Sequence, residues 1–286
     1  MTNSLTCQNN IVELFVVFDD LAQLLNLSSK AGRKSSLSLS EVATISLIRS
    51  EFNIKTWKGL YKLLKARYSH EFKLPAYKNF VETMNKSAVK LLVMINALMQ
   101  INNKNSGVIK LVDSTPLPVC KNKRISRHKT MKKLASRKKS TMGWFYGLKL
   151  HIISDLRGNI LMIKFTTGSV DDRVPLDRFL EKLSNSIIIA DAGYTSKKLE
   201  EKARENNNLL LAVARNNMKK ITTPVHNYLL NLRPRVETIF SILKERLGLV
   251  TSLPRSELGY LAHYIHCIFG YMTLKSIRMN YSSSIS

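Results

Sequence analysis

Apolar positions recur at helical spacing through the first third of the chain. Ser38 with Glu41 three residues on predicts a capping box, and Val42, Ile45, Leu47 and Ile48 supply the apolar stripe behind it. The pattern predicts further helices over Trp57–Arg67 and Tyr77–Ile101, with Pro75 as the breaker between them. The polar, turn-rich stretch Asn102–Gly107 (NNKNSG) then reads as a linker.

Beyond it the period changes. Val108–Val112 is a short apolar strand ending at Asp113, with Pro116 and Pro118 stopping its continuation. Phe145–Ile153 alternates as a strand, Leu156–Asn159 (LRGN) supplies a hairpin turn, and Ile160–Phe165 returns as its partner. A helix over Val174–Leu183, a strand over Ile187–Ala190 ending at Asp191, and a helix over Thr195–Asn206 come next. A strand over Leu209–Val213 and a helix from Pro234 to Leu247 complete the series. Hairpin-linked strands followed by β-α-β units predict an α/β architecture: a mixed sheet flanked by helices, with the element order of the ribonuclease H-like fold. The expected organisation is a helical N-terminal domain, residues 1–107, and a sheet domain, residues 108–286.

Composition excludes several classes. The 286 residues are 44% hydrophobic, enough for a packed core, which rules out a disordered polycation. Cys7, Cys120 and Cys267 lie too far apart in sequence for a zinc or redox motif, so reduced thiols in a cytoplasmic protein are expected. The start, MTNSLTCQNN, lacks the basic and apolar regions of a secretory signal. The uncharged stretch Leu258–Leu274 carries His263 and His266 and reads as a buried core helix, so no membrane association is expected.

Charge narrows the function. Forty-five Lys and Arg stand against 20 Asp and Glu, a formal net charge of +25. Residues 114–154 contain no acid at all. Ten basic residues crowd one segment: Lys121, Lys123, Arg124, Arg127, Lys129, Lys132, Lys133, Arg137, Lys138 and Lys139. Such a block binds phosphates with a steep salt dependence, and without an amphipathic apolar face beside it the partner is nucleic acid rather than lipid. His128 falls within the same run as one more expected phosphate contact.

Three carboxylates stand where a phosphodiester-cleaving site needs them. Asp113 and Asp191 close the apolar runs IKLVD and IIIAD, at the sheet edge where ligands gather in open α/β folds. Glu237 lies on the helix that begins at Pro234, with Arg233, Ser241 and Lys244 along the same side. Hard carboxylate oxygens suit Mg²⁺ or Mn²⁺. Two such ions roughly 3.5–4 Å apart activate an attacking oxygen and stabilise a leaving one. Arg233, Arg235 and Lys244 would hold the DNA backbone beside them.

These residues sit in motifs that resemble the DDE-type transposases of bacterial insertion sequences, in particular the branch numbered nine-eighty-two. The motifs are VDSTPLPVC with NKRISR (112–127), WFYGLKLHII (144–153), TTGSVDDRVPL (166–176), IADAGY (189–194) and RPRVETIFSILK (233–244). The last fits an R-x3-E-x6-K signature. Leu230 and Ala192 depart from the family pattern, which commonly has Tyr and Lys there. The resemblance implies that Asp113, Asp191 and Glu237 form the catalytic triad and hold two Mg²⁺ or Mn²⁺ ions. It implies cleavage at element ends by metal-activated water, then in-line attack of the freed 3′-hydroxyl on target DNA, with no nucleotide cofactor. The implied partners are the terminal repeats, the target DNA and at least one further copy of the chain.

Other residues are open at this level. Lys149 and His151 alternate on one strand face, aimed at DNA or metals or merely exposed, and Lys149 is counted with the DNA-binding set. Asp171 and Asp172 offer an auxiliary acid, with a turn or cap role at Asp172 favoured. Trp144, Phe145 and Tyr146 open a strand and are expected to pack rather than stack on a base. The helical domain is a candidate for DNA-end recognition or assembly. Two other functions fit the same residues: a decayed transposase that only binds DNA, and a ribonuclease H-like nuclease that never joins strands.

Overall fold

The computed structural model describes residues 8–27, 35–140, 143–213 and 223–283; Cys7 lies outside them. The chain opens with four helices: α1 (Gln8–Leu24), α2 (Leu39–Glu51), α3 (Trp57–Arg67) and α4 (Tyr77–Lys104). Strands β1 (Ile109–Pro118), β2 (Ser136–Ser140), β3 (Gly143–Asp155) and β4 (Ile160–Thr167) follow, with a 3-10 turn at Asn122–Arg127. Then come α5 (Arg173–Leu180), β5 (Ile187–Ala190), α6 (Lys197–Glu205), β6 (Leu209–Ala212), α7 (Pro224–Leu230), α8 (Pro234–Ser241) and α9 (Glu257–Ser283).

These elements form two compact units. One contains residues 1–98, 242–249 and 253–286; the other contains 99–241 and 250–252. The division falls within α4 rather than at the polar linker, and the last helix groups with the N-terminal helices although it follows the sheet in sequence.

In the helical unit the capping box forms as the sequence predicts. Glu41 N donates to Ser38 Oγ at 3.1 Å, and Ser38 N donates to Glu41 Oε2 at 2.6 Å. Helix α2 is buried on more than its apolar stripe. Thr44 and Ser46 are wholly covered: the Thr44 hydroxyl donates to the Ser40 carbonyl four residues back at 2.8 Å, and Ser46 Oγ lies between the Val42 carbonyl at 2.6 Å and His266 Nδ1 at 2.7 Å. Helix α9 packs along it, and Phe18 of α1 meets Phe269 at 5.5 Å between ring centres. His263 and His266 are core residues, as expected of the uncharged stretch. No helix among the described residues is long and apolar enough to cross a membrane.

The second unit is a mixed sheet with strand order β2-β3-β1-β5-β6, and β4 beside β3. The pairs β1/β3, β2/β3 and β3/β4 are antiparallel, whereas β1/β5 and β5/β6 are parallel. Strand β3 is central and continuously buried from Leu148 to Asp155. The expected hairpin turn closes between β3 and β4, with Gly158 at φ +83°. Helices α5 and α6 cover one face through Leu176, Phe179, Leu180 and Leu199, packed on Val112, Ile188 and Leu210.

Two sequence expectations need correction here. Strand β1 does not stop at Asp113 but runs on through Pro116 and Pro118. Val119 N donates to Tyr146 O, so along β1 the odd-numbered N–H groups face β3 and those of positions 116 and 118 would face the other edge. That edge has already lost its neighbour, because β5 pairs only with Ile109–Leu111. A missing N–H costs no ladder bond there. The basic block also contains a strand that the sequence pattern does not predict: Ser136–Ser140 pairs with Gly143–Gly147 as β2. Gly147 is required at this crossing, since a Cβ on it would lie 2.0 Å from the Leu117 carbonyl oxygen.

Candidate active site

Strand β1 parts from β5 just before the first candidate acid. The last paired positions are Leu111 and Ile189, and continuing that register by two residues sets Asp113 opposite Asp191. Asp113 is therefore inside a strand but just past the end of its parallel ladder, an end set by β5 alone because β1 runs on.

Asp191 follows β5 directly and caps the 3-10 turn Ala192–Tyr194, its Oδ1 accepting from Gly193 N. A Cβ on Gly193 would lie 2.9 Å from that oxygen, so the glycine of the DAGY run lets backbone and carboxylate close up. Glu237 stands in the first turn of α8, exposed, with Arg233 Nη2 at 2.8 Å from Oε1. Burial pushes the Asp113 carboxyl up to about 7, and the negative charges of Asp191 and Glu237 add to the rise. Ser114 N, which donates to Asp113 Oδ1 at 2.7 Å, and the Arg233 charge oppose it. The charges of Asp191 and Glu237 thus reach Asp113 from two other elements.

The donor chemistry fits a divalent cation: hard oxygens only, and a half-buried carboxyl whose ionisation is opposed by two like charges. As the side chains stand, no group of three or more His, Cys, Asp or Glu among the described residues is arranged to hold a metal ion. Each carboxylate instead takes a local donor: Ser114 N, Gly193 N or Arg233.

The basic residues divide by exposure. Lys121, Lys123, Arg124, Arg127, Lys129, Lys132, Lys133, Arg137 and Lys139 are all exposed. Lys138 turns inward, Nζ donating to the Val170 carbonyl at 3.2 Å. Lys149 is not on a surface at all: it is 4% exposed, and its ammonium lies 2.6 Å from Asp172 Oδ1. His151 is 1% exposed and burial lowers its pKa to about 4, so neither residue lies on an exposed face. His128 is half-buried against Tyr146, ring centres 6.1 Å apart, and burial lowers its pKa, so it is a poor phosphate contact. Arg235 is exposed, with Nη1 3.4 Å from the Leu156 carbonyl. Lys244 lies past α8, on the π-helical turn Ile242–Arg246 that groups with the helical unit.

Two further expectations change. Asp172 precedes α5 but makes no capping bond; Asp171 closes that turn, accepting from Arg173 N at 2.9 Å. Phe145 packs in the core, whereas Trp144 is 52% exposed with the Arg137 guanidinium 4.8 Å over its ring. Register explains the pair: Lys139 opposes Trp144 and Arg137 opposes Tyr146, so all four share one face of the β2–β3 ribbon. The alternation was legible in the sequence, but a run of charge gave no strand signal to align it with.

The family model of the transposase DDE domain matches residues 102–256, more than half of the chain. Among solved structures the chain is similar to a piggyBac transposase synaptic complex with hairpin DNA. That match has 10% identity and a TM-score of 0.50, over 98% of this chain and 74% of the other. At that identity the likeness speaks to the fold, a ribonuclease H-like mixed sheet flanked by helices with an N-terminal helical region. A Mos1 transposase paired-end complex matches at a TM-score of 0.24 and 11% identity, over 87% of this chain and 82% of the other, too weakly to bear on the fold. Comparison with curated proteins gives no match.

Proposed function

Because this chain belongs to the transposase DDE domain family, we propose that it cleaves DNA at the ends of an insertion sequence and joins the freed 3′-hydroxyl to target DNA. Asp113, Asp191 and Glu237 are the catalytic acids in this reading. The observation that carries it is the β1–β5 register, which sets Asp113 opposite Asp191 while the charge of Glu237 on α8 reaches the same carboxyl.

The three carboxylates would hold Mg²⁺ or Mn²⁺, whose contribution would be to activate the attacking oxygen and stabilise the leaving one. The protein's own groups do the rest. Arg233, just before α8, restrains Glu237 four residues on and offers a cation beside the acids. The exposed basic residues of 121–139 supply sequence-independent phosphate contacts that hold the duplex. Pairing of two element ends calls for at least two copies of the chain on DNA.

Mg²⁺- or Mn²⁺-dependent cleavage of DNA bearing the element's own ends tests the reading, with wild type beside Asp191→Asn. We expect cleavage that is lost in the variant by about a hundredfold or more, the scale of losing one group that stabilises transition-state charge. A wild type that binds the ends but never cuts would overturn it in favour of a DNA-binding relic. Cutting without strand joining would reduce it to a nuclease.

A further inference from the structure

A buried polar network lies against the first catalytic acid. On the face of β3 that looks away from solvent, Lys149 and His151 stand two residues apart, 4% and 1% exposed. Across the β1–β3 ladder they oppose Pro116 and Ser114, and across β3–β4 they oppose Thr166 and Lys164. Their common neighbour is Asp172, at the start of α5. Its Oδ1 accepts from Lys149 Nζ at 2.6 Å and from Ser114 Oγ at 2.9 Å, with His151 Nδ1 at 3.7 Å. His151 Nε2 and Thr166 Oγ1 are 2.8 Å apart, which fixes the ring on its other side.

An ammonium this deeply buried needs a carboxylate partner, because an unpaired one would cost several kcal/mol. That need explains why Asp172 points inward instead of capping α5. It does not explain Ser114, whose hydroxyl adds a second donor to an oxygen already paired. Ser114 is the residue after Asp113, and its backbone N–H donates to Asp113 Oδ1 at 2.7 Å. Ser114 is thus held from both sides, by Asp172 through Oγ and by the catalytic carboxylate through N. Tyr194, three residues after Asp191, is buried beside the same group, and its hydroxyl feels the charges of Asp172, Asp113 and Asp191.

We propose that Asp172 is a positioning residue for the catalytic site: anchored by Lys149, it fixes Ser114 through the hydroxyl, and Ser114 in turn fixes the carboxylate of Asp113. Asp172 touches no reacting atom in this scheme. It sets the direction in which Asp113 offers its second oxygen towards Asp191, and so how well the acids take up a divalent cation. The inference rests on the reading of Asp113 and Asp191 as metal-holding acids.

The test measures Mn²⁺ binding directly, by electron paramagnetic resonance on the full chain without DNA, alongside thermal unfolding. Ser114→Ala removes the hydroxyl and leaves the Lys149–Asp172 pair intact, whereas Ser114→Thr keeps a hydroxyl. The expected result is Mn²⁺ affinity about tenfold weaker in the Ala variant, the low end of losses seen when a ligand's supporting partner is removed. The Thr variant should bind within about twofold of wild type. In a Lys149→Met/Asp172→Leu background, Ser114→Ala should cost nothing further, because position 172 no longer offers an acceptor to the hydroxyl. Wild-type affinity in Ser114→Ala, or an equal loss in Ser114→Thr, overturns the proposal. So does a full additional loss in the double background. Failure of wild type itself to bind Mn²⁺ would overturn the reading of the acids, and this inference with it.

Discussion

Asp113 lies opposite Asp191 across two strands that have just stopped pairing. The parallel ladder of β1 and β5 ends at Leu111 and Ile189, so both carboxylates sit two residues past the last shared backbone bonds. Rigid paired strands hold their roots, while the gap beyond leaves room for what the acids are to bind. The cost is electrostatic. Asp113 is half-buried beside two like charges, and its ionisation is opposed near neutral pH.

That cost is measurable without DNA or metal. The folded carboxyl of Asp113 titrates at about 7, against 3.8 for a free side chain, so it is a raised group. The folded state then holds a proton that the unfolded state gives up, and stability is lost as pH rises from about 4 through 7. Asp113→Asn removes the charge, and in a chelating buffer it should be the more stable protein at pH 8. A tenfold difference in proton affinity is worth about 1.4 kcal/mol, which makes the gain at most a few kcal/mol. The advantage should shrink below pH 7 and disappear near pH 4. Urea unfolding across that range checks it, and an Asn variant with the same advantage at pH 4 as at pH 8 would refute the assignment.

The basic surface makes a separate prediction. Lys132, Lys133, Arg137 and Lys139 are exposed, so neutralising them should weaken DNA binding. It should also flatten the log-affinity against log-salt line by about 0.9 for each phosphate contact removed. Lys149→Gln should behave differently, because that ammonium is buried and paired with Asp172. It should lower the unfolding midpoint and leave the salt slope near that of wild type. Titration of a labelled duplex at several salt concentrations separates the two classes; a slope lowered by Lys149→Gln would mean that it reaches DNA after all.

Where a sequence signal was local, the fold could be read from it. The capping box at Ser38 and Glu41, the helix Trp57–Arg67 and the strand Ile187–Ala190 all form where periodicity and flanking residues put them. Three features were not legible, each for a physical reason. Pro116 and Pro118 read as breakers because nothing in the sequence says that one edge of β1 is empty beyond Leu111. Strand β2 hides in SRKKS, where charge at every central position masks the alternation of burial. Asp172 meets Ser114 across 58 residues of chain and Lys149 across 23, a juxtaposition that only the folded sheet creates. Asp113 and Asp191 stood out as candidates because each closes an apolar run, and Glu237 because it falls in the first turn of a helix opened by Pro234.

Trp144 offers an optical probe of the exposed basic face of the β2–β3 ribbon. It is 52% exposed under the Arg137 guanidinium, and the other tryptophan, Trp57, sits edge-on to Phe80 and His266 in the helical unit. In a Trp57→Phe background the remaining emission should be red-shifted and open to acrylamide. Binding of element-end DNA should quench it and shield it from acrylamide. If bases stack on the ring, Trp144→Ala should weaken binding to an unpaired end by about 1–3 kcal/mol, with Phe retaining most of it. Unchanged emission on saturating DNA would mean that this face stays in solvent.

The helical unit should be acid-sensitive through its two buried histidines. His266 Nε2 lies 2.9 Å from the Met84 carbonyl and its Nδ1 2.7 Å from Ser46 Oγ. His263 Nε2 lies 2.8 Å from the Gly248 carbonyl, and Arg49 Nη2 lies 3.1 Å from its Nδ1. In each ring one nitrogen must donate to a carbonyl and the other accept, which suits the neutral imidazole. Burial lowers both folded values to about 3, from 6.5 for a free side chain. The sign follows: below about 6.5 the unfolded chain takes up protons that the folded core refuses, so stability is full above that pH and drains away towards pH 3. At pH 5 the loss depends only on the unfolded value, since the folded rings are still neutral, and comes to about 2 kcal/mol per histidine. His266→Gln keeps a donor for the Met84 carbonyl but cannot take up a proton. It should lose stability at pH 7 through imperfect packing, yet lose about 2 kcal/mol less than wild type between pH 7 and pH 5. Urea unfolding at the two pH values decides it: equal losses in the two proteins would mean that His266 is not held neutral in the core.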